Sequence, residues 1–263
     1  MIRFAESISV GNARVAIFPD SKQADQFLTE TIADVAREAI AKRGAFFIAL
    51  SGGGTPRALY ELLGSTRWRN RINWQRTHVF LGDERFVPLS NPASNFRMIQ
   101  QTLLAHVDMP KDNVHPVATE SGDASAAAAD YEKQIRKAFG NEPPRFDLNL
   151  LGVGTNAHTA SLFPHTRALH ERKKLVVANY VDELSMWRIT FTTPLINASR
   201  HIIFQAYGLE KANTICRILL GPRDPDDAPA QLIHPEGDGD LAWVIDQAAA
   251  QRLARNRENK KPA

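Results

Sequence analysis

One short segment, in which an apolar run is followed by glycines and then a helix, limits the folds open to this chain. Residues 45–50 are Ala-Phe-Phe-Ile-Ala-Leu, a run without a polar side chain. Such a run is typical of a central strand that is buried on both faces of a parallel sheet. Residues 51–56, Ser-Gly-Gly-Gly-Thr-Pro, follow at once and lead into a predicted helix over residues 57–63. The segment therefore predicts the strand–loop–helix unit of an α/β protein.

The same alternation of strands and helices continues along the chain. Apolar runs predict strands over residues 14–18, 45–50, 78–81, 113–117, 148–151, 175–181, 187–192, 200–208 and 241–245. Apolar stripes of helical period predict helices over residues 21–44, 57–63, 95–104, 121–139, 210–220 and 246–253. This order predicts an α/β fold with a mainly parallel sheet flanked by helices, and close strands between residues 170 and 205 predict a small antiparallel subregion. Residues 1–263 are expected to form one domain.

The glycine-rich loop at residues 51–56 is a candidate anion site. Thr55 is predicted to cap the following helix, with Pro56 at its first position. Backbone N–H groups at the positive end of a helix bind anions, most often phosphate. A tight turn that needs positive φ is the alternative, but three successive glycines exceed what a turn requires. The residues predicted to hold phosphate are Ser51, Gly52, Gly53, Gly54 and Thr55.

A histidine follows the predicted strand at residues 148–151. Gly152 and Gly154 end that strand, and His158 comes four residues after the second glycine. In an open parallel sheet, ligands bind at the carboxyl ends of the strands. His158 is therefore expected at the mouth of such a site. The alternative is an ordinary strand-to-helix turn with a capping histidine.

Charged residues follow two further strands. Asp83, Glu84 and Arg85 come directly after residues 78–81, where they would act as acid/base groups or ligand anchors. A structural ion pair between Asp83 and Arg85 is the alternative. Lys211 lies in the first turn of the predicted helix at residues 210–220, where the helix dipole favours acids. A bound anion would explain this lysine, and a solvated lysine is the alternative.

Composition and charge indicate the class of protein. Hydrophobic residues make up 43% of the chain and charged residues 23%, as in globular proteins. The net charge of +3 is small, so no nucleic-acid partner is expected, and the basic C-terminal residues are interpreted as a solvated tail (Arg252, Arg255, Arg257, Lys260 and Lys261). The single cysteine, Cys216, excludes an internal disulfide and is expected in the core. No apolar run approaches the roughly 20 residues that span a bilayer, and no secretion signal is recognised, so a cytoplasmic protein without a membrane partner is expected.

Three motifs in succession carry a resemblance to a known family. They are Ser-Gly-Gly-x-Thr-Pro at residues 51–56, Gly-Asp-Glu-Arg-x-Val-Pro at residues 82–88 with Ser-Asn downstream, and Asp-Leu-x-Leu-Leu-Gly-x-Gly…His-Thr-Ala-Ser-Leu-Phe-Pro at residues 147–164. Together they resemble the 6-phosphogluconolactonases, which are grouped with glucosamine-6-phosphate deaminase and related isomerases. The resemblance implies a modified Rossmann-like fold. It also implies hydrolysis of 6-phospho-D-glucono-1,5-lactone to 6-phosphogluconate, in the oxidative pentose phosphate pathway, without a metal or cofactor.

The resemblance also assigns roles to residues. Lactone hydrolysis needs a base that activates water, and His158 is the natural candidate because imidazole titrates near neutral pH. Arg188 and Lys211 match phosphate-contacting residues of the wider family and join the glycine loop as phosphate ligands. Asp83 and Arg85 would border the sugar ring, with Asp83 positioning His158 or substrate hydroxyls. The predicted catalytic set is thus His158, Asp83 and Arg85, and Glu84 and Asn156 complete the predicted binding residues.

This chain departs from the family pattern beside the histidine. The usual stretch is Gly-x-Gly-x-Asp-Gly-His, whereas Asn156 and Ala157 occupy the Asp-Gly positions here. An asparagine does not stabilise an imidazolium as a carboxylate does, but it accepts a hydrogen bond and fixes a tautomer. Alanine tolerates positive φ less well than glycine. Gly54 also stands where the family commonly has serine, which removes one possible hydroxyl contact to phosphate.

Two other functions remain as alternatives. One is an aminosugar-phosphate deaminase or isomerase that acts on an open-chain sugar, and the other is a non-catalytic sugar-phosphate sensor. The Glu-Arg-x-Val-Pro and Ser-Leu-Phe-Pro motifs favour the lactonase over the deaminase. Retention of His158 with Asp83, Glu84 and Arg85 weighs against a sensor. The sequence leaves the oligomeric state open between a monomer and a small homo-oligomer.

Overall fold

An eight-stranded sheet forms the centre of the molecule in the computed structural model, which describes residues 7–10, 13–120 and 122–258. The strand order is β1-β2-β11-β10-β7-β3-β4-β6. All neighbouring strands are parallel except β1 and β2, which pair antiparallel. The strands are β1 Ile8–Val10, β2 Ala13–Phe18, β3 Phe46–Leu50, β4 Thr77–Leu81, β6 Val114–His115, β7 Leu148–Leu151, β10 His201–Ala206 and β11 Asp240–Asp246.

Helices cover both faces of this sheet because its strands are apolar on both sides. Ile48 and Leu50 of β3 belong to an apolar cluster with residues of α1, α2 and α3, whereas Ala49 belongs to a second cluster with residues of α4, α5, α6 and α7. This two-residue alternation is the pleat of a strand. The helices are α1 Ser21–Arg43, α2 Arg57–Gly64, α3 Asn95–Thr102, α4 Ala124–Phe139, α5 Thr193–Asn197, α6 Ala212–Leu220 and α7 Gln247–Glu258.

A second, three-stranded sheet lies beside the main one. It has the antiparallel order β5-β9-β8, with β5 Asp83–Arg85, β8 Val176–Val181 and β9 Met186–Phe191. The predicted antiparallel subregion between residues 170 and 205 is therefore confirmed. Its third strand, β5, comes from the acidic segment after β4 and was not predicted as a strand.

The strand order creates a switch point between β3 and β7. After β2 the chain crosses to β3, and β4 and β6 then extend the sheet on one side of β3. β7, β10 and β11 return on the other side and fill the positions between β3 and β2. Ligands of open parallel sheets bind outside the carboxyl ends of the strands at such a reversal. The loops that follow β3 and β7 are the two glycine-containing segments singled out in the sequence.

Side-chain caps and a glycine close several of the helix ends. Asp20 caps α1 by accepting a hydrogen bond from the N–H of Gln23, and Gly44 ends this helix in the left-handed conformation. Ser94 caps α3 by accepting from the N–H of Arg97. The predicted cap of α2 is wrong, because Pro56 is its N-cap residue and no side chain, including that of Thr55, caps the helix. Thr55 lies one residue earlier, in the glycine loop.

Other expectations fall partly outside the described chain. Lys260 and Lys261 of the basic tail lie outside the described residues, and the side chains of Arg255 and Arg257 are not described either. The N-terminal segment over residues 1–6 is outside as well. Cys216 packs half-buried against the apolar cluster that holds α6, in agreement with a core role. None of the helices in the described ranges has the length and apolar content needed to cross a membrane.

Candidate active site

A cavity of about 550 Å³ lies at the carboxyl ends of the central strands, at the switch point between β3 and β7. It is walled by the loops after β3, β4, β7 and β10, and by the connection between β8 and β9. Every predicted site residue except Glu84 lines it: Ser51, Gly52, Gly53, Gly54, Thr55, Asp83, Arg85, Asn156, His158, Arg188 and Lys211. The fold thus brings together residues that are up to 160 positions apart in sequence, from Ser51 to Lys211.

The glycine loop has the form of an anion cradle. Gly53 has φ +93°, a conformation that side chains with a Cβ rarely adopt. None of the N–H groups of Gly52, Gly53 and Gly54 donates to another residue in the described ranges. The carbonyl of Ser51 accepts a hydrogen bond of 2.8 Å from the hydroxyl of Tyr60 in α2, which ties the start of the loop to the helix. The loop therefore offers backbone donors at the N-terminal end of α2.

Asn95, which was not predicted as a site residue, lies against this loop. A Cβ at Gly52 would overlap the side chain of Asn95, so position 52 requires glycine. Asn95 is only 1% exposed and its Nδ2 donates to the carbonyl of Asp83 at 2.8 Å. Its Oδ1 is buried without a hydrogen-bond partner in the described structure. The Ser-Asn motif was noted in the sequence, but no role in the site was predicted for Asn95.

His158 lies on an irregular loop after β7, and no helix begins at it or beside it, so the alternative of a helix cap is wrong. The imidazole stacks on the ring of Phe163, with centroids 4.0 Å apart and planes 14° apart. It also lies directly over Gly154, where a Cβ would overlap the ring. The second glycine of the motif therefore makes room for the histidine. Phe163 belongs to the Ser-Leu-Phe-Pro motif, for which no position in the site was predicted.

The surroundings keep His158 neutral. The pKa of the imidazole is lowered to about 4, mainly by burial, and the cations Arg188, Lys211 and Arg85 contribute in the same direction. Asp83 acts in the opposite sense but does not reverse the shift. A histidine with this pKa is unprotonated at neutral pH, as a general base must be.

Asn156 fixes the tautomer of that neutral ring. Its Oδ1 lies 2.6 Å from His158 Nδ1, and its Nδ2 donates to Glu183 Oε1 at 2.9 Å. Because a carboxylate only accepts, the amide must point its oxygen at the histidine, and Nδ1 must carry the proton. Nε2 is then the unprotonated nitrogen, and it has no hydrogen bond to any described residue. Ala157 has φ +65°, the conformation expected from the Asp-Gly pattern at this position.

Asp83 faces the cavity without contacting His158 by a hydrogen bond. Its Oδ2 accepts from the hydroxyl of Ser161 at 2.7 Å, and its Oδ1 lies 3.4 Å from Nδ2 of Asn95. Direct positioning of His158 by Asp83, one of the two predicted roles, is therefore not seen. Within the described residues no ion pair joins Asp83 to Arg85, so that alternative is wrong as well.

Glu84 does not reach the cavity, and its predicted role in binding is wrong. The side chain is 0% exposed, on the opposite side of β5 from Asp83. Its carboxylate accepts hydrogen bonds from the N–H groups of Arg85, Asn95 and Phe96 and from the hydroxyl of Ser94. Burial raises the pKa of Glu84, and these donors oppose the rise. Glu84 therefore holds β5 against the start of α3.

Three cations make the cavity attractive to an anion. Arg188 on β9 lies opposite Arg85 on β5, and both side chains have a buried Nε without a partner in the described structure. Burial and the neighbouring Arg85 lower the pKa of Arg188, against the influence of Asp83. Lys211 stands at the start of α6 and has no ion pair within the described residues. Nor do three His, Cys, Asp or Glu side chains of the described chain come together as a metal site.

The comparisons with known proteins agree with this geometry. The family of glucosamine-6-phosphate isomerases and 6-phosphogluconolactonases matches residues 19–243. A 6-phosphogluconolactonase of Synechocystis is 42% identical over 219 residues, with 82% of this chain and 88% of the relative covered. One from Mycobacterium tuberculosis is 36% identical over 251 residues, with 92% and 99% covered.

A solved structure shows the same fold. The 6-phosphogluconolactonase of Thermotoga maritima superposes with a TM-score of 0.76 at 30% identity, over 89% of this chain and 99% of that one. The family match covers the glycine loop, the acidic strand β5, the histidine loop and Lys211 alike. The chain therefore belongs to the family of glucosamine-6-phosphate isomerases and 6-phosphogluconolactonases.

Proposed function

We propose that this enzyme hydrolyses 6-phospho-D-glucono-1,5-lactone to 6-phospho-D-gluconate in the oxidative pentose phosphate pathway. The observation that carries the proposal is the neutral His158, with its proton held on Nδ1, in a cavity lined by three cations and a glycine cradle. A general base opposite an anion site suits a phosphorylated substrate that is attacked by water. The names of the relatives support the same reaction.

The reaction needs a single base that later acts as an acid. Nε2 of His158 takes a proton from water as the water oxygen bonds to the lactone carbonyl carbon C1. The tetrahedral intermediate collapses by breaking the bond between C1 and the ring oxygen. The imidazolium returns its proton to that oxygen, which becomes the C5 hydroxyl. The new carboxylic acid then releases a proton to solvent, so each turnover yields one acid equivalent.

The remaining side chains divide between the two ends of the substrate. We assign the 6-phosphate to the N–H groups of the glycine loop at residues 52–54, with Lys211 and Arg188 supplying charge. Asp83 and the buried Oδ1 of Asn95 are acceptors and face the sugar hydroxyls. Arg85 borders the ring and the lactone carbonyl. Asn156 acts through His158, to which it is hydrogen-bonded, rather than as the substrate ligand predicted from the sequence.

The decisive experiment follows acid release from freshly generated lactone, corrected for spontaneous hydrolysis. Loss of general-base assistance is typically worth 10²–10⁴-fold, so His158→Ala is expected to reduce kcat by about that factor. Wild-type kcat/KM is expected to persist in mild acid and to fall by half near pH 4, the pKa of His158, because the base works only when it is unprotonated.

The control is His234→Ala, which removes an exposed histidine outside the cavity and is expected to keep wild-type activity. Equal rates for wild type and His158→Ala would refute the role of His158 as the general base. Ammonia release from glucosamine 6-phosphate would identify a deaminase. Binding of 6-phosphogluconate without any turnover of the lactone would identify a sensor.

A further inference from the structure

The connection between β8 and β9 reaches over the cavity and brings an acidic side chain to it. A 3₁₀ turn at Asp182–Leu184 joins the two strands, and Ser185 closes it with φ +46°. This tip places Glu183 and Leu184 in the wall of the cavity. Neither residue was predicted from the sequence, because their motif-free segment gives no sign that the tip folds back towards His158.

Glu183 contacts the site through one hydrogen bond. Its Oε1 accepts from Nδ2 of Asn156 at 2.9 Å, and Oδ1 of the same amide faces both Nδ1 and the backbone N–H of His158, at 2.6 and 3.3 Å. The three side chains thus form a chain from a carboxylate, through an amide, to the imidazole. Each link has a defined direction because the carboxylate can only accept.

The direction matters because an asparagine amide has two orientations of similar shape. The backbone N–H of His158 favours the observed orientation, but at 3.3 Å that hydrogen bond is long. If the amide turned over, its NH₂ group would face Nδ1 and would demand an unprotonated nitrogen there. The proton would then reside on Nε2, the nitrogen that must accept a proton from water. A turned amide would therefore produce an inactive tautomer.

We propose that Glu183 is a positioning residue, which selects the productive tautomer of His158 by fixing the orientation of the Asn156 amide. In the family pattern, a carboxylate stands directly at position 156 and needs no such help, since both of its oxygens accept. This chain has the amide at 156 and supplies the carboxylate from the β8–β9 tip. The inference rests on the proposed role of His158 as a base, but the state of the amide can be measured without substrate.

The test begins with Glu183→Ala in the full chain. The bond is exposed, so its loss is worth a moderate factor; kcat is expected to fall about threefold to tenfold, with little change in KM, because ground-state binding is untouched. Asp182→Ala is the matched control, since it removes an equal charge from the adjacent exposed position and is expected to retain wild-type kcat.

The Glu183→Ala substitution in an Asn156→Asp enzyme distinguishes orientation of the Asn156 amide from a general effect on the β8–β9 connection. In Asn156→Asp the residue at 156 has no amide to orient, and Glu183 would face a like charge. Glu183→Ala is therefore expected to leave kcat of the Asn156→Asp enzyme unchanged or to raise it. An equal loss in both backgrounds would overturn the proposal in favour of a packing role for the tip.

The tautomer itself is read from the ¹⁵N chemical shifts of His158 in the substrate-free protein at pH 7. Wild type is expected to show the proton on Nδ1, and Glu183→Ala a measurable fraction with the proton on Nε2. Identical spectra for the two proteins would refute positioning. This measurement uses no lactone, so it tests the role of Glu183 independently of activity. Failure of the wild-type enzyme to hydrolyse the lactone would refute the proposed function but not the role of Glu183.

Discussion

At the scale of single residues, the glycines of the histidine loop differ in purpose although the sequence presents them alike. Neither Gly152 nor Gly154 has positive φ, so neither is needed for an unusual backbone conformation. A Cβ at Gly152 would meet no atom within 4 Å, whereas one at Gly154 would overlap the imidazole of His158. Only Gly154 is therefore required, and the requirement comes from the functional side chain.

This difference gives a matched pair of variants. Gly154→Ala is expected to displace the ring and to reduce kcat by about 10²-fold, the lower bound for losing a general base. Thermal stability should change far less, because the loop is irregular and His158 can move towards the cavity. Gly152→Ala is expected to retain most of the activity. Steady-state kinetics with melting curves check both, and similar losses of kcat in the two variants would contradict the steric explanation.

At the scale of elements, the long periodic segments could be predicted and the short polar ones could not. α1 and β7 follow from their apolar spacing, because burial of one face or both dictates the pattern. β5 escaped prediction since its three residues, Asp83–Arg85, are all charged and become a strand only by pairing with β9. A tertiary pairing of this kind leaves no local signal.

The unpredicted pairing of β5 also explains why the predicted binding role of Glu84 was wrong. Sequence places three charged residues together after β4, but the pleat of β5 sends Asp83 into the cavity and Glu84 into the interior. There the carboxylate accepts from the backbone N–H groups of Asn95 and Phe96 at the start of α3 and from that of Arg85 within β5. Sequence thus identified the strand ends that carry the site, while the side on which each charge lies depended on an unpredicted pairing.

Substitution of Glu84 is therefore expected to reduce the stability of the fold more directly than the activity. Glu84→Ala leaves several buried donors unsatisfied, at about 1–3 kcal/mol for each such group. We expect a loss of at least about 3 kcal/mol in the free energy of unfolding. Ser94→Ala removes one of the four donors to the same carboxylate together with the N-cap of α3, and should cost about 2 kcal/mol. Urea denaturation measures both, and a Glu84→Ala protein as stable as wild type would refute the structural role.

At the scale of the whole molecule, half-buried histidines that do not line the active-site cavity couple stability to pH. Phe47 and His78 stack at 4.7 Å, and Phe80 and His115 at 4.0 Å, in the layer between the sheet and α4. Burial lowers the pKa of His78, and burial together with nearby His78 lowers that of His115 to about 4, against the opposite influence of Asp112. These rings stay neutral in the folded protein while the unfolded chain takes up protons below about pH 6.5.

Stability contributed by these histidines is therefore complete above about pH 6.5 and is lost as pH falls towards 4. Buried acids with a raised pKa, Asp25 and Asp147 among them, act in the opposite sense, so the total pH dependence mixes the two. The variant His115→Phe keeps a ring in the stack and removes the titration of His115, together with the contact of 3.3 Å between His115 Nε2 and His78 Nδ1. Relative to this variant, wild type is expected to lose up to about 1.4 kcal/mol per pH unit between pH 6.5 and 4. Urea unfolding of both proteins at half-unit steps measures the difference, and a difference that is constant with pH would show that His115 titrates alike in the folded and unfolded chains.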